Sequence, residues 1–332
     1  MGKRRNNFVV LTALILCIAL GLVGIAVSRA FAGEGYGNHY PGGNEDFSAG
    51  ALPPAGTSIF INYLVDYNAT TLRDNAGRNQ ILGVGQLGYP KVSFTLNVVA
   101  DAMRYVKMTN IKLFGGDLLW HVIVPVVYNK VAMDAGPVTI GTQFKYGLGD
   151  IEPGVGIAWH PSKTFHHVAA FDIVMPTGSY NKTDLSNTGR NYWSFNPLWA
   201  FTYIGDKDSP IPGFEVSSKL MYWINTINSE TSYTSGQEFQ ADYLIGQHFG
   251  KWAFGANGNI LYQTTNDKQY GRTAYDPLSG LQTGVKGKAL SIGPAISYEI
   301  PHGCITFKWQ HDVIAQNRPE GDKFWLKWVF AF

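Results

Sequence analysis

Sulfur, charge and uninterrupted apolar sequence are what this chain has least of. Its 332 residues include two cysteines, Cys17 and Cys304. Cys17 lies in an N-terminal apolar run, so the rest of the chain has one thiol. Neither an internal disulfide nor a Cys/His metal cage is expected, and no cofactor motif is present. Charged residues make up 15% of the chain. Without Lys3, Arg4, Arg5 and Arg29, 22 basic residues face 24 acidic ones, a net charge of −2. That sign argues against a nucleic-acid surface. Beyond Val27 no apolar run reaches helical spanning length, and the mean hydropathy is −0.06. A helical membrane protein is therefore excluded. Gly147-Leu148-Gly149-Asp150 lacks the Lys-Ser/Thr and helix that a phosphate loop requires.

The N-terminal run reads as a leader. Lys3, Arg4 and Arg5 precede apolar residues from Phe8 to Val27, and Ala30-Phe31-Ala32 supplies a small-x-small cleavage pattern. A signal peptide over 1–32 is expected, with an uncleaved anchor as the alternative because the run is long. Leu16 before Cys17 speaks against a lipoprotein site. Residues 33–56 are rich in Gly and Pro without periodicity, and are expected to form an irregular periplasmic lead-in. One β domain would then occupy 57–332.

What the chain does have is aromatic residues and period-two alternation. Glycine numbers 38, phenylalanine 19, tyrosine 18 and tryptophan 9. In the last ten residues, Phe324, Leu326, Trp328, Phe330 and Phe332 fall on one face of a strand. Lys323, Trp325, Lys327, Val329 and Ala331 fall on the other. Such a strand, ending the chain on an aromatic residue, suits lipid outside and a polar lumen inside. Alternation recurs near residues 59–67, 92–98, 120–128, 149–160, 166–176, 192–204, 213–225, 237–248, 251–264, 287–300 and 303–315. With the terminal strand, about twelve result. Short joins at 160–166, 248–251 and 301–303 alternate with long polar ones at 68–90, 130–147, 177–191, 225–237 and 265–286. Tight periplasmic turns and long external loops are the mark of a transmembrane antiparallel up-and-down β-barrel. Such an all-β fold sits in the bacterial outer membrane, in contact with its lipids. Its terminal strand, 323–332, is the expected handle for the barrel-assembly machinery. Tyr63, Tyr67, Trp120, Tyr128 and Trp328 are expected outside, in interfacial girdles.

The inner face is where function is sought. The expected lumen-facing residues are Asp66, Asp101, Glu152, Asp172, Lys219, Asp242, Glu299, Lys308 and Lys327, with Glu215 and Lys323. Leu64, Leu198, Met221, Trp223, Leu244, Leu261 and Trp325 share that face. A mixed wall suits an amphipathic or aromatic solute better than an ion, although interior packing explains it equally well. No catalytic constellation is evident. His311 and Asp312 are adjacent and point to opposite faces, and His166-His167 reads as an interfacial turn rather than a metal site. A rim histidine within reach of a serine and a carboxylate would reopen a hydrolase reading.

Several motifs resemble a known family. His39-Tyr40-Pro41-Gly42-Gly43 and Ala49-Gly50-Ala51-Leu52-Pro53-Pro54-Ala55-Gly56 precede the first strand. Gly115-Gly116-Asp117, Val124-Pro125-Val126, Gly147-Leu148-Gly149-Asp150-Ile151, Trp159-His160-Pro161 and Pro176-Thr177-Gly178-Ser179-Tyr180 follow in order. In this the chain resembles the outer-membrane transporter family of the meta-pathway of phenol degradation. The resemblance implies a barrel, a signal peptide and uptake of small hydrophobic or aromatic compounds, and with no energy-coupling motif in the sequence that uptake is expected to be passive. The resemblance carries no binding residue. A structural or surface-binding barrel is the alternative.

Overall fold

The computed structural model describes residue 34 and residues 37–79, 92–135, 138–275 and 284–332. The leader expected over 1–32 lies outside them. The strands are β1 (Ser58–Leu72), β2 (Val92–Leu113), β3 (Gly116–Ala135), β4 (Val138–Leu148), β5 (Glu152–Trp159), β6 (Phe165–Val174), β7 (Ser194–Ile204), β8 (Phe214–Asn225), β9 (Ile227–Asn228), β10 (Tyr233–Thr234), β11 (Glu238–Phe249), β12 (Trp252–Gln263), β13 (Lys268–Gln269), β14 (Arg272–Thr273), β15 (Lys288–Ile300), β16 (Gly303–Gln316) and β17 (Pro319–Ala331). The short β9, β10, β13 and β14 form a separate small sheet. The others close into an antiparallel barrel with twelve strand positions. Its seam joins the first strand to the last, from Ile59↔Ala331 to Leu72↔Pro319.

One position is divided. β3 pairs with β4 over Val126–Ala135 and with β5 over Asp117–Ile123. The chain steps out of the ladder between them, at Gly149–Ile151, where Gly149 N–H donates to Pro125 O at 2.8 Å. β6 pairs with β5 and ends at Val174. Among the described residues the far edge of β4 therefore pairs with no strand. The loop between β6 and β7 covers it instead. Lys145 Nζ bridges to Asp184 at 2.7 Å, and Gln143 Oε1 accepts from Leu185 N–H at 2.6 Å.

The terminal strand sorts as its sequence indicates. Leu326 and Trp328 are exposed on the lipid side, while Trp325 is 1% exposed inside. The protein is an outer-membrane β-barrel, with an apolar outer band of the kind such barrels require. On β1 and β2, however, the faces are reversed relative to the sequence reading. Asp66 stands opposite Phe324, and Asp101 opposite Leu64, both partners being lipid-side residues at 44% and 38% exposure. Directly opposed residues share a face, so Asp66, Asp101 and Leu64 point outward. Asp101 is held there by Asn62 Nδ2, and Asp66 by Asn68 Nδ2 at 2.8 Å and Asn97 Nδ2 at 3.0 Å. Tyr63 and Tyr67, expected in a girdle, instead lie inside with Ile59, Ile61 and Val65. The reason is that this interior is packed rather than flooded. Tyrosine hydroxyls are needed there as donors, Tyr63 to Glu45 at 3.0 Å and Tyr67 to Asp312 at 3.0 Å.

Candidate functional site

Glu45 belongs to the segment that most changes the picture. Residues 37–56, expected below the membrane, run through the barrel lumen, with Tyr40 and Asn44 to Phe47 buried. Gly and Pro deprive this segment of strand pairing, so its backbone groups need partners from the wall. Asp242 on β11 accepts from Gly43 N–H and Glu45 N–H, each at 2.8 Å, and from the Tyr40 hydroxyl. Glu215 on β8 accepts from Ser48 N–H at 2.6 Å, and Thr202 from Gly50 N–H at 2.9 Å. Gly43, at φ 92°, lies so close to the Gln310 side chain that a Cβ would collide with it.

Two carboxylates fasten the segment to the seam. Glu45 bridges Lys327 at 3.2 Å and Arg104 at 3.1 Å, and Asp46 bridges Lys327 at 3.0 Å and Lys308 at 2.8 Å. Burial by itself would raise the Glu45 pKa. Lys327, Lys219 and Arg104 outweigh burial and hold it well below the usual carboxylate range. Tyr40 is pushed up by burial and then by Asp242 and Glu45.

Farther out, His39 Nε2 lies 3.0 Å from Asp150 in the β4–β5 step, and its Nδ1 lies 2.8 Å from Ser194 Oγ. Asp150 also accepts from Gly178 N–H and Arg190 N–H, at 2.8 and 2.7 Å. Segment, wall step and covering loop thus meet at one carboxylate.

The segment divides the lumen. On one side a cavity of about 250 Å³ is lined by Val65, Leu96, Val98, Ile123, Val127 and Trp325, and it reaches Gly149 and Asp150 at the step. On the other, a cavity of about 430 Å³ is lined by Leu52, Ile61, Val168 and Leu198, together with Arg104, Lys219 and Lys327.

Of the nine sequence candidates, Glu152, Asp172, Lys219, Asp242, Lys308 and Lys327 are buried in the interior. Glu299 has inward parity, facing Cys304 in the register, but lies exposed near the β15–β16 turn. Asp66 and Asp101 are outside, as above. Asp172 accepts from the His121 ring at 2.9 Å, beneath Gly154, where any Cβ would strike both partners. Sequence reading missed His39, Glu45, Asp46, Arg104 and Asp150 as lumen groups. The available signal was Glu45-Asp46 itself, an adjacent pair of carboxylates in a segment otherwise poor in charge.

A closed twelve-position barrel, lipid-facing outside and holding its own N-terminal segment inside, defines an outer-membrane barrel of channel architecture. The family model described as the MetA-pathway of phenol degradation matches residues 71–328, and the chain belongs to that family. Among solved structures, the chain is similar to the COG4313 outer membrane channel from Pseudomonas putida F1. The TM-score is 0.67 at 15% identity, over 89% of this chain and 100% of that one. Weaker likenesses include the CymD monoaromatic hydrocarbon channel, at TM-score 0.42 and 10% identity, over 92% of this chain and 98% of that one. The β domain of the Bordetella autotransporter BrkA gives 0.45 at 9% identity, over 84% and 100%. No curated protein matches by sequence.

Proposed function

We propose that this barrel is a passive channel for small hydrophobic or aromatic compounds entering the cell. The observation that carries the reading is the apolar cavity beside the lumen segment, which reaches the wall step at Gly149 and Asp150. Apolar walls favour a solute that leaves water or lipid, and the edge of β4, held by a loop rather than a strand, is a natural side exit. Family membership supports the same class of solute. No energy-coupling motif is present in the sequence, so flux runs down a gradient.

A hydrolase reading is not favoured, although His39 does meet a serine and an aspartate. Ser194 is fully buried and its hydroxyl is also held by Asn225 Oδ1 at 2.6 Å. A nucleophile must reach a substrate carbonyl, and this one is enclosed by its own scaffold. The three groups act as a clamp on the lumen segment.

Uptake of labelled phenol, a long-chain fatty acid and a sugar by cells with an intact outer membrane, with and without this protein, tests the reading. Phenol or the fatty acid should enter faster with the protein, and the sugar should not. Equal acceleration of all three, or of none, sinks it.

A further inference from the structure

The first cavity, the one that reaches the wall step, is lined by a polar side chain that its own protein leaves unused. Asn44 lies on the lumen segment and is 6% exposed. Its backbone is held from both sides. Gly43 N–H and Glu45 N–H donate to Asp242, and the Asn44 carbonyl accepts from Lys308 Nζ at 2.7 Å. The carboxamide has no such role. An asparagine in an irregular stretch ordinarily turns back on the backbone beside it. Here Asn44 Oδ1 has no partner among the described residues, and Nδ2 donates to none of them. Other asparagines of the same wall are engaged. Asn38 donates to Glu238 at 3.1 Å and Asn259 to Asp242 at 2.8 Å. Asn129, near the covering loop, donates to Asn187 O at 3.4 Å and leaves its own Oδ1 open.

A buried amide without partners is costly unless something in the cavity meets it. Charge offers no competing anchor. Asp150, Glu152 and Asp312 line the cavity against Arg190, Arg318 and Lys323, three of each sign. Lys323 bridges Asp312 at 3.1 Å, Arg318 meets Glu238 at 3.5 Å, and Asp150 is held by His39 and by Arg190 N–H. Glu152 faces Asp172, Lys219 and Arg104. An ion entering here finds the opposite charges already engaged. Apolar side chains such as Val98, Ile123, Val174 and Trp325 make up much of the remaining wall. The volume of about 250 Å³ is ample for one ring, since about 150 Å³ suffices for benzene.

We infer that Asn44 is a specificity-determining residue of the channel, its carboxamide hydrogen-bonding the neutral hydroxyl of a ring-sized solute whose apolar body fills the first cavity. This rests on the channel reading above and narrows its solutes, against bare hydrocarbons on one side and ions on the other. A hydroxyl both donates and accepts, so it can meet the carboxamide at either end. Because the backbone of residues 43 to 45 is pinned to Asp242 and Lys308, the amide is presented with little freedom left to lose on binding.

The test is calorimetric titration of the protein, purified from outer membranes and placed in nanodiscs, with benzyl alcohol, toluene and benzoate. Empty nanodiscs serve as the reference. The first two probes differ by one hydroxyl, and the third replaces it with a charge. Asn44→Leu keeps the shape of the side chain and removes both polar atoms, while Asn44→Ala removes them with no added bulk. Each should lower the ratio of benzyl alcohol to toluene affinity by about tenfold relative to wild type, the scale of one buried polar group losing its partner. Heat-modifiable migration on gels checks that each variant is folded. Folded variants that keep the wild-type ratio overturn the inference, as does a wild type that binds benzoate more tightly than benzyl alcohol. A wild type that binds no probe also overturns it. The channel reading then stands if the uptake assay still separates phenol or the fatty acid from the sugar, and falls with it if not.

Discussion

Lys327→Met is the substitution that probes the divided lumen most directly. The ammonium group sits between two buried carboxylates, 3.2 Å from Glu45 and 3.0 Å from Asp46, on the inner face of the terminal strand. Methionine keeps most of the stem and removes the charge. Breaking a buried ion pair by deleting one partner costs roughly 3–5 kcal/mol, because the other charge is left uncompensated. Here Glu45 keeps Arg104 and Asp46 keeps Lys308, so the lower figure applies. A loss of about 3 kcal/mol multiplies the ratio of unseated to seated lumen segment by about a hundredfold. The barrel wall, with its own ladder, should stay closed. Planar-bilayer recording measures the outcome: rare wide openings in wild type should become frequent in Lys327→Met. The double variant Glu45→Gln with Lys327→Met should open at least as often, since it also takes from Arg104 its bridge to Glu45. Identical opening frequencies in wild type and the single variant would refute the idea that these pairs hold the segment in place.

Other perturbations follow from the same geometry. Because the folded pKa of Glu45 is depressed, its contribution is complete above the ordinary value of about 4.3 and declines as pH falls towards the folded one. Acidification from pH 5 to pH 3 should therefore increase wide openings, and a flat profile would count against this. Gly154→Ala drives a methyl group into Asp172 and His121. Overpacking of that kind should cost about 1–3 kcal/mol, visible as a lower unfolding midpoint in urea. On the outer face Leu326→Arg should destabilise the barrel by roughly 2–4 kcal/mol if it lies near the membrane midplane. Asp66→Leu, at a position first read as luminal, should be neutral or stabilising in the same urea titration. Lys145→Ala removes the bridge to Asp184 that helps hold the loop over the β4 edge. It should speed uptake of the hydrophobic solute in the cellular assay without affecting the sugar.

The barrel was legible in the sequence because lipid imposes one rule on every strand, and the terminal strand obeys it without exception. The same rule failed on β1. There the polar residues Asn62 and Asp66 face out and the tyrosines face in, so simple polarity assigns the wrong phase. Register decides it, and register depends on partners far away in the chain, such as Phe324 opposite Asp66. The lumen segment was hidden for a related reason. A Gly/Pro-rich stretch has no periodicity of its own, and only the wall tells it where to lie. Lys219, Lys308 and Lys327 could be placed inside by alternation. Which carboxylates they would meet was beyond pattern, because two that matter are Glu45 and Asp46.

The fastening of the segment to Lys308 and Lys327 also bears on how the barrel is made. Both lysines belong to the last two strands, while Arg104 and Tyr63, which hold the other side of Glu45, belong to the first two. The segment therefore straddles the seam from within. A nascent barrel whose ends have not met would leave these cations without counter-ions, and a closed one without its segment would bury them bare. Seating the segment therefore favours closure, because Glu45 and Asp46 hold strands from both sides of the seam.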